Sequence, residues 1–147
     1  MTKLKDILIK EEGDRQEVYK DHLGNWTIGI GHLIGTDLHK MTLPKKVTDL
    51  LFKLDLQECI RARNRIFGRL EVLTWSKPRR IAVTCMIFQL GETNFRGFHT
   101  TIKHIKLKEW EKASQSASES LWARQVPLRA KRVCYMLKTG EYDKFYL

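Results

Sequence analysis

Cysteine is scarce in this chain. Cys59, Cys85 and Cys134 are odd in number, far apart and free of CxxC spacing, which argues against a disulfide framework or a structural zinc site. Cys85 sits in the apolar run AVTCMIF, where a thiol behaves as a small hydrophobe, so all three read as structural residues of a chain made in a reducing compartment. Long hydrophobic runs are also missing. The longest apolar-rich one, Ile81 to Leu90, is too short to cross a bilayer. The opening MTKLKDILIKEEG alternates charge with apolar residues and lacks the apolar core of a secretory leader. The chain is therefore expected to be soluble where it is made, with no stable membrane insertion. There is no internal repeat, low-complexity segment or flexible linker.

Motif absences narrow the chemistry further. Gly29, Gly31 and Gly35 do not make GxGxxG, because Ile34 occupies the third glycine position; a dinucleotide site is excluded. The five histidines show no HExxH or other tight ligand spacing, so neither a metal nor another cofactor is expected. No serine or threonine sits in a nucleophile elbow. Arg61, Arg63, Arg65 and Arg69, and RAKR at 129–132, form basic runs without any RNP, helix-turn-helix or finger pattern. They read as solvated helix faces, and nucleic acid is not an expected partner.

Acids are outnumbered: 17 Asp and Glu stand against 27 Lys and Arg, a net charge of +10. That excess draws the chain towards polyanions such as nucleic acid, acidic lipid or an anionic cell wall, without choosing among them. A chain of 147 residues buries about 68–70% of its unfolded surface and can fold alone. Its 42% hydrophobic and 30% charged composition is that of a globular protein.

The three prolines each open a helix. Leu4, Ile7 and Leu8 share a helical stripe, and Gly13 suits the position beyond a helix that ends at Glu12. Val18 and Tyr19, the turn DHLGN, and Trp26, Ile28 and Ile30 in alternation predict two strands of a hairpin. Gly24 suits a left-handed turn, while Gly29 and Gly31 permit close backbone approach. Thr42 and Pro44 mark the start of a helix whose apolar stripe is Val47, Leu50, Leu51 and Leu54, running on towards Gly68. Pro78 opens a helix apolar nearly all round, suited to the middle of a core. GETNFRGF reads as a loop, Thr100 to Ile105 and Glu109 to Ala123 as helices, and Pro127 to Gly140 as the last helix. Trp110 and Trp122 fit core stripes; Trp26 has two possible faces. The prediction is a single α+β, mainly α domain over residues 1–147. A small N-terminal sheet lobe (about 13–55) and a larger helical lobe (about 1–12 and 56–147) are joined by a long helix, with a cleft between them.

The stretch EEGDRQEVYKDHLGNWTIGIGH places Glu12 at a helix end, Asp21 in the turn and Thr27 on the second strand. Two carboxylates flanking a gap suit glycosidic bond hydrolysis: one donates a proton to the leaving oxygen, the other stays ionised and handles the water. A threonine hydroxyl can hold that water, because it both donates and accepts. Taken singly, Glu12 reads as an exposed residue at a helix end and Asp21 as an ordinary turn former, structural rather than catalytic.

The same stretch resembles the N-terminal signature of the T-even phage lysozyme family: an acid-Gly pair, Y-x-D-x-x-G, then TIGIGH. FQLGETNFRGF, SLWARQVPLRAKRV and LKTGEYDKF resemble later segments of that family in order and spacing. The resemblance implies a lysozyme-like fold and a muramidase, an endolysin that hydrolyses the β-1,4 bond between N-acetylmuramic acid and N-acetylglucosamine with inversion. It makes Glu12 the general acid and gives the water to Asp21 and Thr27. Gly31, Gln89, Gly91, Glu92 and Gln125 would meet the substrate, Arg129 would hold Glu12, and His32 with Asp55 would form a structural ion pair. It implies peptidoglycan strands as partner, a monomer, and synthesis in the cytoplasm of a host bacterium. Action at the wall or periplasm would follow release by a phage holin; incorporation into a virion tail is the alternative. Only 22 residues separate His32 from Asp55, fewer than in the family's best-known members, which implies a shortened small lobe. Arg124 and Leu128 stand where the family often has asparagine. A non-enzymatic basic protein acting on nucleic acid or anionic membranes, and a wall binder without cleavage, are the competing classes.

Overall fold

The computed structural model describes residues 2–21, 23–35 and 42–147; His22, within the turn read from DHLGN, lies outside them. The chain forms two compact units, Met1–Glu58 and Cys59–Leu147. Among the described residues there are eight α-helices and one three-stranded antiparallel sheet, the mainly helical α+β class expected from the sequence.

In the first unit, α1 (Thr2–Glu12) buries Leu4, Ile7 and Leu8. It stops where the sequence places its end. Gly13 has φ 74 and its N–H donates to the Ile9 carbonyl at 2.9 Å, a left-handed cap that a side chain would strain. The sheet follows as β1 (Arg15–Lys20), β2 (Trp26–Gly29) and β3 (His32–Gly35), in that spatial order. The alternation of Trp26, Ile28 and Ile30 predicts one continuous strand, and here the structure differs. Gly29 and Gly31 have φ of 64 and 69, which an extended strand cannot hold, so the chain turns through Ile30 into a third strand. Ile30 is buried nonetheless.

Helix α2 (Lys45–Phe67) is as long as predicted and ends at Gly68, φ 86. Its start moves from Thr42 to Lys45. Thr42 instead pairs with Glu17 in an isolated bridge, and the Leu43 N–H donates to the Gln16 carbonyl at 3.0 Å. The buried face also differs from the predicted stripe. Leu50 and Leu54 are 54% and 52% exposed, whereas Thr48, Phe52 and Leu56 are at most 2% exposed. Both faces carry apolar residues, so period alone could not choose between them. Gly29 chooses: a Cβ there would lie 3.0 Å from Thr48 Cβ, so the bare glycine backbone rests against Thr48 and turns that face inward.

In the second unit, α4 (Lys77–Arg96) opens on the Ser76 cap with a proline in its first turn, and every residue from Ile81 to Ile87 is buried. That is the central helix expected. Each such aliphatic side chain contributes about 1.5–3 kcal/mol. The predicted loop GETNFRGF is mostly helical, because α4 breaks only at Gly91 (φ 75, ψ 158) and resumes. Asn94 Nδ2 donates to the Leu90 carbonyl across that break at 2.9 Å. The short α3 (Arg69–Leu73) precedes α4, and α5 (His99–Lys106) follows it. The single helix predicted over Glu109–Ala123 is two, α6 (Trp110–Ser118) and α7 (Leu121–Gln125). Ser120 caps α7 by accepting from the Ala123 N–H, and Leu121 is left exposed on the new helix. Trp122 is buried as read, whereas Trp110 is half-buried at the edge of the core, packed edge-on against Trp75.

Helix α8 (Pro127–Thr139) ends at Gly140, φ 77, as predicted. Arg79 of α4 donates to its last carbonyls, from Nε to Leu137 (3.0 Å) and from Nη2 to Lys138 (2.9 Å), which satisfies groups a helix end leaves open. Cys85 and Cys134 are buried and Cys59 is half-buried. Burial pushes the Cys134 thiol up to about 11, which suits a packing role.

Arg63 is an unusual resident of this unit. Its Nη1 donates to the Arg80 carbonyl (3.2 Å) and to Thr84 Oγ1 (2.8 Å), while its buried Nε has no partner among the described residues. Burial, with Arg80 nearby, pulls the guanidinium down to about 10. Removing the side chain orphans nothing, because the Thr84 hydroxyl still donates to the Arg80 carbonyl at 2.7 Å. Arg63→Met keeps the apolar stem without the desolvated charge, and should raise stability by about 1 kcal/mol in urea unfolding. A loss of stability would show that the Arg63 hydrogen bonds, including the long one from Nη2 to Asn64 Oδ1 at 3.5 Å, outweigh desolvation.

Candidate active site

The end of α1 fixes Glu12. It is the helix's last residue, half-buried, with the chain redirected at Gly13. The β1–β2 hairpin fixes Asp21. Its Oδ1 accepts the N–H groups of Leu23 and Asn25, each at 2.9 Å, and Oδ2 faces Asn25 Nδ2 at 3.5 Å. Gly24, at φ 82, donates its N–H to the Asp21 carbonyl. Asp21 is thus the turn former that composition alone would suggest, and its carboxylate is held rigidly by backbone.

Strand register then decides which side chains share a face. Tyr19 lies opposite Thr27, and Lys20 opposite Trp26. Directly opposed residues point to the same side of the sheet. Lys20 Nζ indeed lies 5.3 Å from the Trp26 ring centre, so Trp26 belongs to the face away from Thr27. On Thr27's own face, Thr27 is 4% exposed and its hydroxyl donates to the Asn25 carbonyl at 3.3 Å. Beside it, the Arg15 guanidinium caps the Tyr19 ring at 4.7 Å.

Tyr19 reports where the acids are. Its phenol is held above its ordinary value by burial first, then by the charge of Glu12 and, more weakly, of Asp21. Arg15 and, least of all, the Gly31 backbone act the other way. Glu12 and Asp21 therefore both stand within electrostatic reach of one half-buried phenol, with Thr27 across the strand. Sequence reasoning treated Tyr19 only as a strand residue. Pairing Tyr19 with Thr27 across DHLGN would have found it.

His32 Nδ1–H donates to Asp55 Oδ2 at 2.5 Å, tying β3 to α2. Asp14 adds a second tie, to Lys45 at 2.7 Å.

The remaining named residues lie in the second unit. Gln89 Oε1 accepts from Trp122 Nε1 at 2.9 Å. Gly91 is the break in α4. Glu92 shares its carboxylate between Arg65 and Arg96, whose hydrogen bonds hold it down at about 2. Gln125 lines an open pocket of about 500 Å³ with Asn94, Phe98, Thr101, Ser116 and Trp122. Arg129 is half-buried in the first turns of α8. Among the described residues no three His, Cys, Asp or Glu side chains cluster as metal ligands, and no helix is long and apolar enough to cross a membrane.

Comparison with known sequences gives a consistent result. A family described as phage lysozyme matches residues 9–136. The chain is 30% identical to a probable T4-type lysozyme 2 of Dictyostelium discoideum, over 99% of each chain. It is 28% identical to the pre-baseplate central spike protein Gp5 of Enterobacteria phage T4, over 95% of this chain and 28% of that protein. It is 29% identical to the endolysin of Salmonella phage P22, over 79% of this chain and 76% of that one.

Proposed function

Because the chain belongs to the phage lysozyme family, a family of peptidoglycan-degrading glycoside hydrolases, we propose that Glu12 protonates the leaving oxygen of a glycosidic bond while Asp21 and Thr27 deliver water. The bond is the β-1,4 linkage from N-acetylmuramic acid to N-acetylglucosamine. The observation that supports this reading is that Thr27 lies directly across the strand pair from Tyr19, whose phenol feels the charges of both Glu12 and Asp21. An acid at a helix end and a carboxylate locked into a turn are supported independently, so neither can drift into the other's role. Thr27 spends its hydrogen on the Asn25 carbonyl, which leaves its lone pairs to accept from water. A water bound by Asp21 and Thr27 attacks the anomeric carbon directly, and direct attack inverts the configuration.

In the same reading His32 and Asp55 brace the site, while Gly31, Gln89, Glu92, Gln125 and Arg129 contact substrate or position the acid. The enzyme works as a monomer, without cofactor, and lyses its bacterial host after a holin admits it to the wall. A virion-borne role is the second reading, favoured by the Gp5 relative, which is named as a baseplate spike protein.

Digestion of defined muropeptides, followed by NMR at early times, tests the chemistry. New reducing ends at N-acetylmuramic acid, formed first as the α-anomer, are expected. Anhydro-sugar ends would overturn hydrolysis, and a β-anomer would overturn inversion.

A further inference from the structure

The face of the sheet that carries Thr27 holds a second hydroxyl, and its hydrogen-bond bookkeeping is complementary. Tyr19 is the cross-strand partner of Thr27, so about 4.5–5.5 Å separates their Cβ atoms. Thr27 donates to the Asn25 carbonyl and is left an acceptor. Tyr19, opposite it, carries a phenol whose hydrogen can be donated. Its ring is capped by Arg15 at 4.7 Å, and the charge of Asp21 reaches it. A donor and an acceptor on one face, with a carboxylate in electrostatic reach, supply the groups that one water molecule needs.

We propose that Tyr19 is the third water-orienting group: its O–H donates to the water that Thr27 and Asp21 accept from, leaving one lone pair aimed at the anomeric carbon. This rests on the acid–base reading given above. A water has two hydrogens and two lone pairs. With its hydrogens on Thr27 and Asp21 and one lone pair on Tyr19, only one direction of attack remains. In the step, the water oxygen bonds to the anomeric carbon and the bond to the leaving oxygen breaks. The water's proton passes to Asp21, and Glu12's proton passes to the leaving oxygen. Tyr19 exchanges no proton. An ordinary phenol is already protonated at neutral pH, and burial with the two acids acts in the same direction, so the donor persists.

The experiment is a double-mutant cycle on muropeptide turnover with Tyr19→Phe, Thr27→Ala and the pair. Phenylalanine keeps the ring that Arg15 caps and removes only the hydroxyl. Tyr19→Phe is expected to lower kcat about ten- to one-hundred-fold, a hydrogen bond's worth of barrier, with KM within about twofold. Because both hydroxyls serve one water, the double variant should lose much less than the product of the single losses. An unchanged kcat in Tyr19→Phe, or losses that multiply, would overturn the assignment. So would collapse of its cooperative unfolding transition, which would give the hydroxyl to the fold instead. Wild type and Asp21→Asn run alongside separate the two levels. If wild type leaves muropeptides intact, the acid–base reading itself falls. If wild type cleaves, Asp21→Asn does not, and Tyr19→Phe turns over at full rate, Tyr19 alone is wrongly assigned.

Discussion

Glu12→Gln is expected to lower kcat on peptidoglycan by about three to four orders of magnitude, the upper range for loss of general acid catalysis. Glutamine has the shape and hydrogen-bonding reach of glutamic acid but no proton that a leaving sugar oxygen can take. The oxygen must then depart as an alkoxide, and about 4–5.5 kcal/mol returns to the barrier. The fold should hardly notice. Glu12 is the last residue of α1, and the cap of that helix is made by Gly13 and the Ile9 carbonyl, which the substitution leaves intact. The measurement is therefore a pair: initial rates on muropeptides, and a thermal transition expected within about 2 °C of wild type. Substantial clearing of peptidoglycan by a well-folded Glu12→Gln would assign the proton to another group. It would also turn the Glu12 field at Tyr19 into a packing coincidence.

Much of this arrangement was legible in the sequence wherever one residue decides the local backbone. Gly13, Gly24, Gly68 and Gly140 each end or turn an element at a positive φ, and Pro78 lies in the first turn of α4. These are local decisions, made by backbone freedom over a few residues. What the sequence misread needed a partner far along the chain. The inward face of α2 depends on Gly29 meeting Thr48, which no helical periodicity contains. Thr42 left the helix because Glu17 and Gln16 offered it and Leu43 strand-like partners. The third strand was hidden because TIGIG alternates so well that the positive φ at Gly29 and Gly31 leaves no trace in hydrophobicity. The site behaved similarly. Glu12, Asp21 and Thr27 are proposed from carboxylate chemistry and family resemblance, whereas Tyr19 is proposed only from strand register. A hydroxyl's role depends on what already occupies its donor and its lone pairs, and composition does not carry that.

The second large effect is at Asp21, where structure and chemistry make separable demands. The carboxylate does two things: its Oδ1 accepts the N–H groups of Leu23 and Asn25, and its negative charge is what the proposed water must lose a proton to. Asn offers an equivalent Oδ1 without the charge; Ala offers neither. Asp21→Asn should therefore keep the turn, with stability within about 0.5 kcal/mol, and lower kcat by about two to four orders of magnitude. Asp21→Ala should lose activity to a similar extent and also about 1–2 kcal/mol of stability, as when a side-chain cap on backbone N–H groups is removed. Rates and urea unfolding on both variants give four numbers. If Asp21 served only the turn, activity would follow stability, and Asp21→Asn would work nearly as well as wild type. If it served only the water, the two variants would unfold alike. The geometry predicts the mixed result: both variants inactive, and only the alanine unstable.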